Sequence, residues 1–316
     1  MSFSSYTKHP IIRNLYATAV GTLAGTTFGI VGYGGAQVII PFMTLPFPIA
    51  NYSQLSATGI SLSSLSVSAL TSGYQFWHQD CVNIQLAMII GVPAVLSARV
   101  GSTYAKKLSG DALALFFNGF SMVMIPTHFW IQKRALERQI GLELSHDEKD
   151  TDANERKEEK IQKSSDSMRA IIKAPHAHII LDFNSNKDAL QIMQHASYGL
   201  LSGIISSLMG VGGLPLTMSY LTETTSLPHH YVQGTAVCAL IPSILTSAVS
   251  RIHSIPLQTA GCVAMGAMGG GYIGSKFALG LTEEHLRFLY MGSLVVFGGR
   301  SVVGAARNIQ RIRGKM

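Results

Sequence analysis

Two short glycine-rich stretches interrupt apolar segments of this chain, and their residue types suit the binding of an anion. We call 32–35, Gly-Tyr-Gly-Gly, the first glycine break and 210–213, Gly-Val-Gly-Gly, the second glycine break. Glycine permits positive φ and leaves no side chain to block a ligand. A helix interrupted there frees backbone N–H groups, and the next helix begins with a partial positive charge. The candidate substrate-binding glycines are Gly32, Gly34, Gly35, Gly210, Gly212 and Gly213. The alternative is that they serve close helix packing alone.

Two hydroxyls and one cation extend this candidate site. Thr58 and Thr235 follow the two breaks at nearly equal distances. Each hydroxyl could donate to a bound anion or bond back to a carbonyl of its own helix, and both interpretations stay open. Arg300 is a cation inside an apolar segment, where a charge marks function by default. Its alternative role is to extend its charge to the membrane surface, which we also expect of Arg251 and Lys276 near segment ends.

The breaks belong to an internal duplication. Three blocks recur in the same order with offsets of 178, 177 and 173 residues, and the drift fits small loop insertions. The matched blocks are 23–35 with 201–213, 57–58 with 234–235, and 101–105 with 274–278. We therefore interpret 20–131 and 198–309 as two copies of one unit. Duplicated apolar segments interrupted by glycine indicate the binding site of a transporter.

Composition places the chain in a membrane. Of its 316 residues, 47% are hydrophobic and 13% charged, against about 25% charged in a soluble domain. The segment 132–190 holds 11 of the 24 Lys and Arg and 12 of the 17 Asp and Glu. We predict an all-α polytopic membrane protein in which a charged soluble loop joins two homologous repeats. The predicted domains are 1–131, the first transmembrane repeat; 132–197, a charged cytosolic loop; and 198–316, the second repeat with a basic tail.

Each repeat is predicted to hold about four transmembrane helices, since a span needs about 20 apolar residues. The predicted segments are Leu15–Thr44, Tyr52–Phe76, Asn83–Tyr104, Leu113–Ile131, Tyr198–Tyr220, Tyr231–Ser250, Leu257–Leu279 and Leu286–Asn308. The first is too long for one straight span. We expect two half-helices joined at the first glycine break.

Basic residues before the first span, after the fourth and after the last predict a cytosolic N-terminus, central loop and C-terminus. Such an even number of spans per half makes the repeats parallel. If each broken segment crosses as two pieces, the repeats are inverted, and the sequence leaves both open. We expect the plasma membrane. A mitochondrial membrane stays open because the N-terminus has Lys8 and Arg13 and no acidic residue.

Other function classes lack their motifs. The net charge of +7 lies at segment ends and in the tail, which argues against nucleic acid as a partner. No H-E-x-x-H, G-x-S-x-G or Walker motif occurs, so we predict no enzyme, no catalytic residue, no metal site and no cofactor. No carboxylate falls clearly inside a span, and His128 is interpreted as a packed histidine.

The broken first span, the following proline, and A-T or G-T in the next span, repeated after a central loop, resemble the TauE/SafE sulfite and sulfonate exporter family. The resemblance covers 20–131 and 198–309 and implies a secondary carrier of about eight spans for sulfite, sulfonates or related organic anions. It implies that the six glycines of the breaks, Thr58 and Thr235 line the site. The chain departs from the family pattern at Tyr33 and Gln37. The partners would be a small anion and the lipid bilayer. The alternative is a non-transporting membrane scaffold or receptor that uses the charged loop.

Overall fold

The structure is a computed structural model that describes residues 10–44, 51–147, 186–225 and 227–293, together with 295, 296 and 299. Every regular element in these ranges is helical, as predicted. The helices are α1 (Pro10–Val31), α2 (Gly35–Thr44), α3 (Gln54–His78), α4 (Ile84–Lys107), α5 (Gly110–Asp147), α6 (Asn186–Met209), α7 (Leu214–Thr224), α8 (His229–Ser250), α9 (Leu257–Gly280) and α10, which spans 283–293. A 3₁₀ turn, Ile252–Ser254, joins α8 to α9.

Local sequence sets several helix ends. The Ser53 hydroxyl accepts a hydrogen bond from the Ser56 N–H and begins α3. Asn83 caps α4 in the same way through the Leu86 N–H. Helices α5 and α6 extend to Asp147 and from Asn186, so both reach into the segment predicted as a loop.

Each half begins with a long helix, a glycine break and a short helix that turns back. The predicted interruption of the first segment is confirmed, since α1 ends at Val31 and α2 begins at Gly35. Helix α2 returns along α1, because the Tyr16 hydroxyl donates to the Phe42 carbonyl at 3.1 Å. In the other half, the Tyr220 hydroxyl near the end of α7 lies 2.7 Å from Nδ1 of His195 near the start of α6.

The first helix of each half packs against the third long helix of the other half. A methyl group built at Gly25 of α1 would lie 2.3 Å from the Ala267 carbonyl oxygen in α9. A methyl built at Gly203 of α6 would lie 2.2 Å from the Ala94 carbonyl oxygen in α4. Backbones this close admit glycine alone, as is common in membrane helix pairs. The glycine spacing of α9 predicts a small-residue face of Gly266, Gly269, Gly270, Gly271 and Gly274. Close contacts confirm it at four of them, and Gly269 has open space.

Residue contacts give the helix directions. In α3 and α8, Gly59 lies against Arg251 and Gly73 against Cys238, so these two helices are antiparallel. The same reasoning makes α1 parallel to α9 and α4 parallel to α6. Helix α5 starts beside the start of α3, and α10 starts beside the start of α8. Helices α1, α3, α5 and α9 therefore run one way, and α4, α6, α8 and α10 run the other way.

The outer surface of the bundle suits lipid. Large apolar side chains lie exposed on it, among them Leu15, Leu96, Phe277 and Phe288. Within the described residues, Ile84–Lys107, Gly110–Ile131 and His229–Ser250 are long and apolar enough to cross a membrane. Helices α1, with 22 residues, and α9, with 24, are similarly long.

Candidate functional site

The two glycine breaks have the backbone that only glycine adopts without strain. The angle φ is +70° at Gly32 and +114° at Gly34 in the first break. It is +76° at Gly210, +84° at Gly212 and +68° at Gly213 in the second. A side chain is strained at such angles, so these five positions require glycine for conformational reasons. Gly35 differs, because it is the first residue of α2 and its φ is not positive.

The breaks of the two halves meet at one residue of α3. The Cδ2 atom of Leu65 lies 2.6 Å from the position of a methyl built at Gly35, and its Cδ1 atom lies 3.7 Å from a methyl built at Gly212. Leu65 is buried. The N-terminal ends of α2 and α7 are therefore brought together on opposite sides of a single leucine, although the breaks are 178 residues apart in sequence.

Thr58 lies at the second break, not at the break of its own half. A methyl built at Gly210 would lie 2.8 Å from Thr58 Cβ, and the neighbouring Ser61 hydroxyl donates to the Gly210 carbonyl at 2.9 Å. The Thr58 hydroxyl donates back to the Leu55 carbonyl at 2.9 Å and accepts a hydrogen bond from Arg251 Nη1 at 2.5 Å. The hydroxyl proton therefore bonds back to its own helix, and the oxygen accepts from a cation, while donation to an anion stays a prediction.

The prediction that Arg251 reaches the membrane surface is wrong. It is 0% exposed. Its Nη2 group donates to the Ser207 carbonyl and, at 3.3 Å, to the Leu208 carbonyl. These carbonyls belong to the last turn of α6, which lacks intrahelical donors and carries a partial negative charge. The end of α8 packs against that turn, and a count of residues from the end of a span gives no sign of it.

Gln233 takes the corresponding place at the first break, and no sequence signal singled it out. Its Nε2 group donates to the Gly29 carbonyl at 3.1 Å and to the Ile30 carbonyl at 3.3 Å, in the last turn of α1. Its Cγ atom lies 3.0 Å from a methyl built at Gly32. The side chain is 0% exposed and its Oε1 atom has no hydrogen-bond partner.

The two remaining predicted residues lie elsewhere. Thr235 is buried, and its hydroxyl accepts a hydrogen bond from the Asn83 N–H at 2.9 Å, which ties α8 to the start of α4. It is Gln233, two residues earlier, that contacts the first break. Arg300 lies outside the described residues.

A buried polar cluster connects the two breaks. His128 of α5 is packed, as predicted, with Nδ1 2.7 Å from the Met124 carbonyl and Nε2 2.9 Å from the Pro215 carbonyl. The Ser219 hydroxyl lies 2.6 Å from the same Nε2 atom. The imidazole stacks on Tyr33 of the first break, with ring centroids 6.3 Å apart. Pro215 and Ser219 belong to α7, so His128 contacts the first break and the helix that follows the second break.

The residues that depart from the family pattern belong to this cluster. Tyr33 and Gln37 are both buried, and Gln37 Nε2 donates to the Ser121 hydroxyl at 2.6 Å. The polar side chains that depart from the family pattern are therefore hydrogen-bonded inside the bundle. Across the described ranges, no three His, Cys, Asp or Glu side chains are grouped as metal ligands would be.

An apolar outer surface, two broken helices meeting inside the bundle, and a buried cation beside one of them together define a polytopic membrane transporter. Residues 17–301 match the sequence model of the family described as "Sulfite exporter TauE/SafE", so the chain belongs to that family. The resemblance seen in the sequence is thereby confirmed. The family is one of transporters and not of enzymes, and it implies a transported small anion and a membrane.

Two relatives agree with this assignment. The chain is 22% identical over 260 residues to "Probable membrane transporter protein YdhB" of Bacillus subtilis (strain 168), covering 81% of this chain and 86% of the relative. It is 28% identical over 110 residues to "Probable membrane transporter protein MJ0441" of Methanocaldococcus jannaschii, covering 33% of this chain and 41% of that relative. No solved structure matches the chain. The protein is therefore an integral, multi-pass membrane protein.

Proposed function

We propose that this protein is a secondary transporter that exports sulfite, sulfonates or related small organic anions. The observation that carries the proposal is the meeting of the two glycine breaks at Leu65. The first turns of α2 and α7 offer N–H groups without intrahelical acceptors, and both begin there. A helix N-terminus favours an anion, and here two of them approach the same leucine.

The site we propose consists of the glycines of both breaks with Thr58, whose contacts lie at the second break. Positive φ at five of the six glycines supports it, because these positions exclude side chains that would fill the space. Thr235 and Arg300 stay in the proposal as residues that the family resemblance or their charge suggested, without a contact to the breaks in the described residues.

We further propose that the two halves are inverted repeats. Each long helix of 10–147 runs opposite to its counterpart in the second half, and the close pair of α1 with α9 corresponds to the close pair of α6 with α4. Inverted repeats with a site at their interface are a common basis of alternating access. This is the alternative that the sequence left open. It departs from the prediction that the three basic clusters share the cytosolic side.

The direct test is flux of labelled sulfite into liposomes that contain the purified protein. We expect uptake well above that of protein-free liposomes, with competition by unlabelled alkanesulfonates. Liposomes with the Gly269→Val variant serve as a positive control, since that glycine has open space around it. Flux equal to that of protein-free liposomes for sulfite and for sulfonates would reject the proposed substrate class.

A further inference from the structure

Among the residues that the structure describes, Arg251 is a buried full charge without a balancing carboxylate. It is 0% exposed, and the ion pairs among the described residues, Lys133 with Glu137 and Arg287 with Glu283, do not include it. A buried cation is costly unless an opposite charge or hydrogen bonds compensate it. The compensation present here consists of two carbonyl oxygens of α6 and the hydroxyl of Thr58.

The guanidinium also keeps unused hydrogen-bonding capacity. It carries five N–H donors in a planar fork. Its Nε atom is buried and has no partner. Thr58, which accepts from Nη1, also contacts Gly210, so one side chain separates this cation from the second glycine break.

Gln233 shows that capping the broken helix does not require a charge. Gln233 binds the carbonyls of Gly29 and Ile30, which come three and two residues before the first break. Arg251 binds the carbonyls of Ser207 and Leu208, which come three and two residues before the second break. A neutral amide satisfies the first pair and a guanidinium satisfies the second. The positive charge of Arg251 therefore has a role beyond the carbonyls.

We propose that Arg251 supplies the positive charge that binds the transported anion at the second break. This inference rests on the proposed transport function. A planar guanidinium beside a hydroxyl suits the oxygens of a sulfite or sulfonate group, which accept paired N–H donors. Because the first break has Gln233 in the corresponding place, the two ends of the path are unequal. The anion binds more tightly from the end where α8 terminates.

The chain offers a matched variant for the test. Arg251→Gln installs the group that already caps the other break, so it removes the charge while keeping an amide donor for the carbonyls. We expect it to raise the apparent KM for sulfite at least tenfold from the side where α8 ends and to change the KM from the other side much less. The measurement uses membrane vesicles of each orientation. Arg251→Lys, which keeps the charge and loses the fork, should recover part of the affinity.

The paired swap Arg251→Gln with Gln233→Arg sharpens the test, because it should move the side of tighter binding to the opposite face. Thr58→Val removes the contact between the cation and the break without touching the carbonyl caps, and it should raise the KM in the same direction as Arg251→Gln. It also replaces Arg251→Gln as the deciding variant if that protein does not fold.

The outcomes separate the two proposals. No anion flux by the wild-type protein would reject the transport function itself. Wild-type flux together with an unchanged, side-independent KM in Arg251→Gln, or in Thr58→Val where it decides, would leave transport standing and reject the role of Arg251. A fall in maximal rate with no change in KM, not relieved by Arg251→Lys, would also reject it, because that result describes a structural cap only.

Discussion

The first and second glycine breaks have nearly the same backbone and different side chains around it. The leading glycines have φ of +70° and +76°, and each break follows a helix whose last carbonyls are capped by a residue of α8 or its end. The cap is a neutral amide at the first break and a guanidinium at the second. The broken backbone is therefore common to both halves, whereas the positive charge lies at the second break.

The packing that supports the breaks is common as well. Gly25 meets Ala267 in one half and Gly203 meets Ala94 in the other, at nearly the same close approach. Small residues let the helix backbones touch in both places. The helix packing is thus alike in the two halves, whereas the side chains at the breaks differ.

The largest expected effect concerns the orientation of the two repeats in the membrane. If the halves are inverted, single cysteines at Ile11, Ser53 and His253 react from one face of the membrane, and cysteines at Gln79 and Thr282 react from the other. These positions lie at the ends of the helices, or between the helices, whose directions define the arrangement. Labelling of Ile11→Cys and Gln79→Cys from the same face would reject inverted repeats and support parallel ones.

Native Cys81 interferes little with that assay. Burial and the neighbouring Asp80 raise its pKa to about 11, which keeps the thiol protonated at neutral pH. The thiolate is the reactive form, so its labelling rate should rise about tenfold for each pH unit from 7 to 9. A rate that levels off before pH 9 would show an ordinary thiol, and a rate independent of pH over that range would show a thiol already ionised at pH 7.

The next effect is on the breaks. Gly34→Val and Gly212→Val should abolish transport while the protein still reaches the membrane. A branched side chain at φ of +114° or +84° is strained, and it fills the space proposed for the anion. Gly269→Val is the matched control because its surroundings are open. Wild-type flux in either correctly inserted break variant would remove that break from the site.

A smaller and equal pair of effects should come from the packing. Gly25→Ala and Gly203→Ala each force a methyl against a carbonyl oxygen, so both should lower the free energy of unfolding by about 1–3 kcal/mol. Thermal unfolding of the purified variants measures this. If one substitution were neutral while the other was destabilising, the correspondence between the two close helix pairs would fail.

The smallest effect is expected at the cluster that touches both breaks. His128→Gln loses part of the hydrogen bonding to Met124, Pro215 and Ser219, and about 1 kcal/mol of stability with it. We expect the pH dependence of flux to stay as in the wild type. A flux that no longer responds to a pH gradient in this variant would instead identify the imidazole as a proton-coupling group.

Much of the frame could be predicted from the sequence because it depends on local chemistry and on repetition. The breaks follow from consecutive glycines, and the small-residue face of α9 follows from its glycine spacing. Arg251 and Gln233 could not be predicted in their roles, since each caps a helix that is distant in sequence. Gln233 caps α1 of the other half, and Arg251 caps α6 of its own half. The position of Arg251 near the end of a segment indicated surface exposure, and only tertiary packing reverses that.

Thr58 and Thr235 show the same limit. Their matched positions in the repeat predicted equivalent roles, yet Thr58 bonds Arg251 and Thr235 bonds the backbone of Asn83. Sequence equivalence fixes the helix and the depth of a residue. The partner depends on what the other half presents, and the halves have diverged at those contacts.

The response of anion flux to voltage shows whether this protein exports anions along the membrane potential. Moving one charge through 100 mV is worth about 2.3 kcal/mol, so an exporter of monoanions needs no proton relay in a compartment that is negative inside. The measurement is efflux of a labelled alkanesulfonate from proteoliposomes under an imposed potassium diffusion potential, since a sulfonate keeps its charge at every pH used. We predict efflux that accelerates when the interior is negative and is absent in Gly212→Val. Efflux that ignores voltage and follows a pH gradient would contradict voltage-driven anion export.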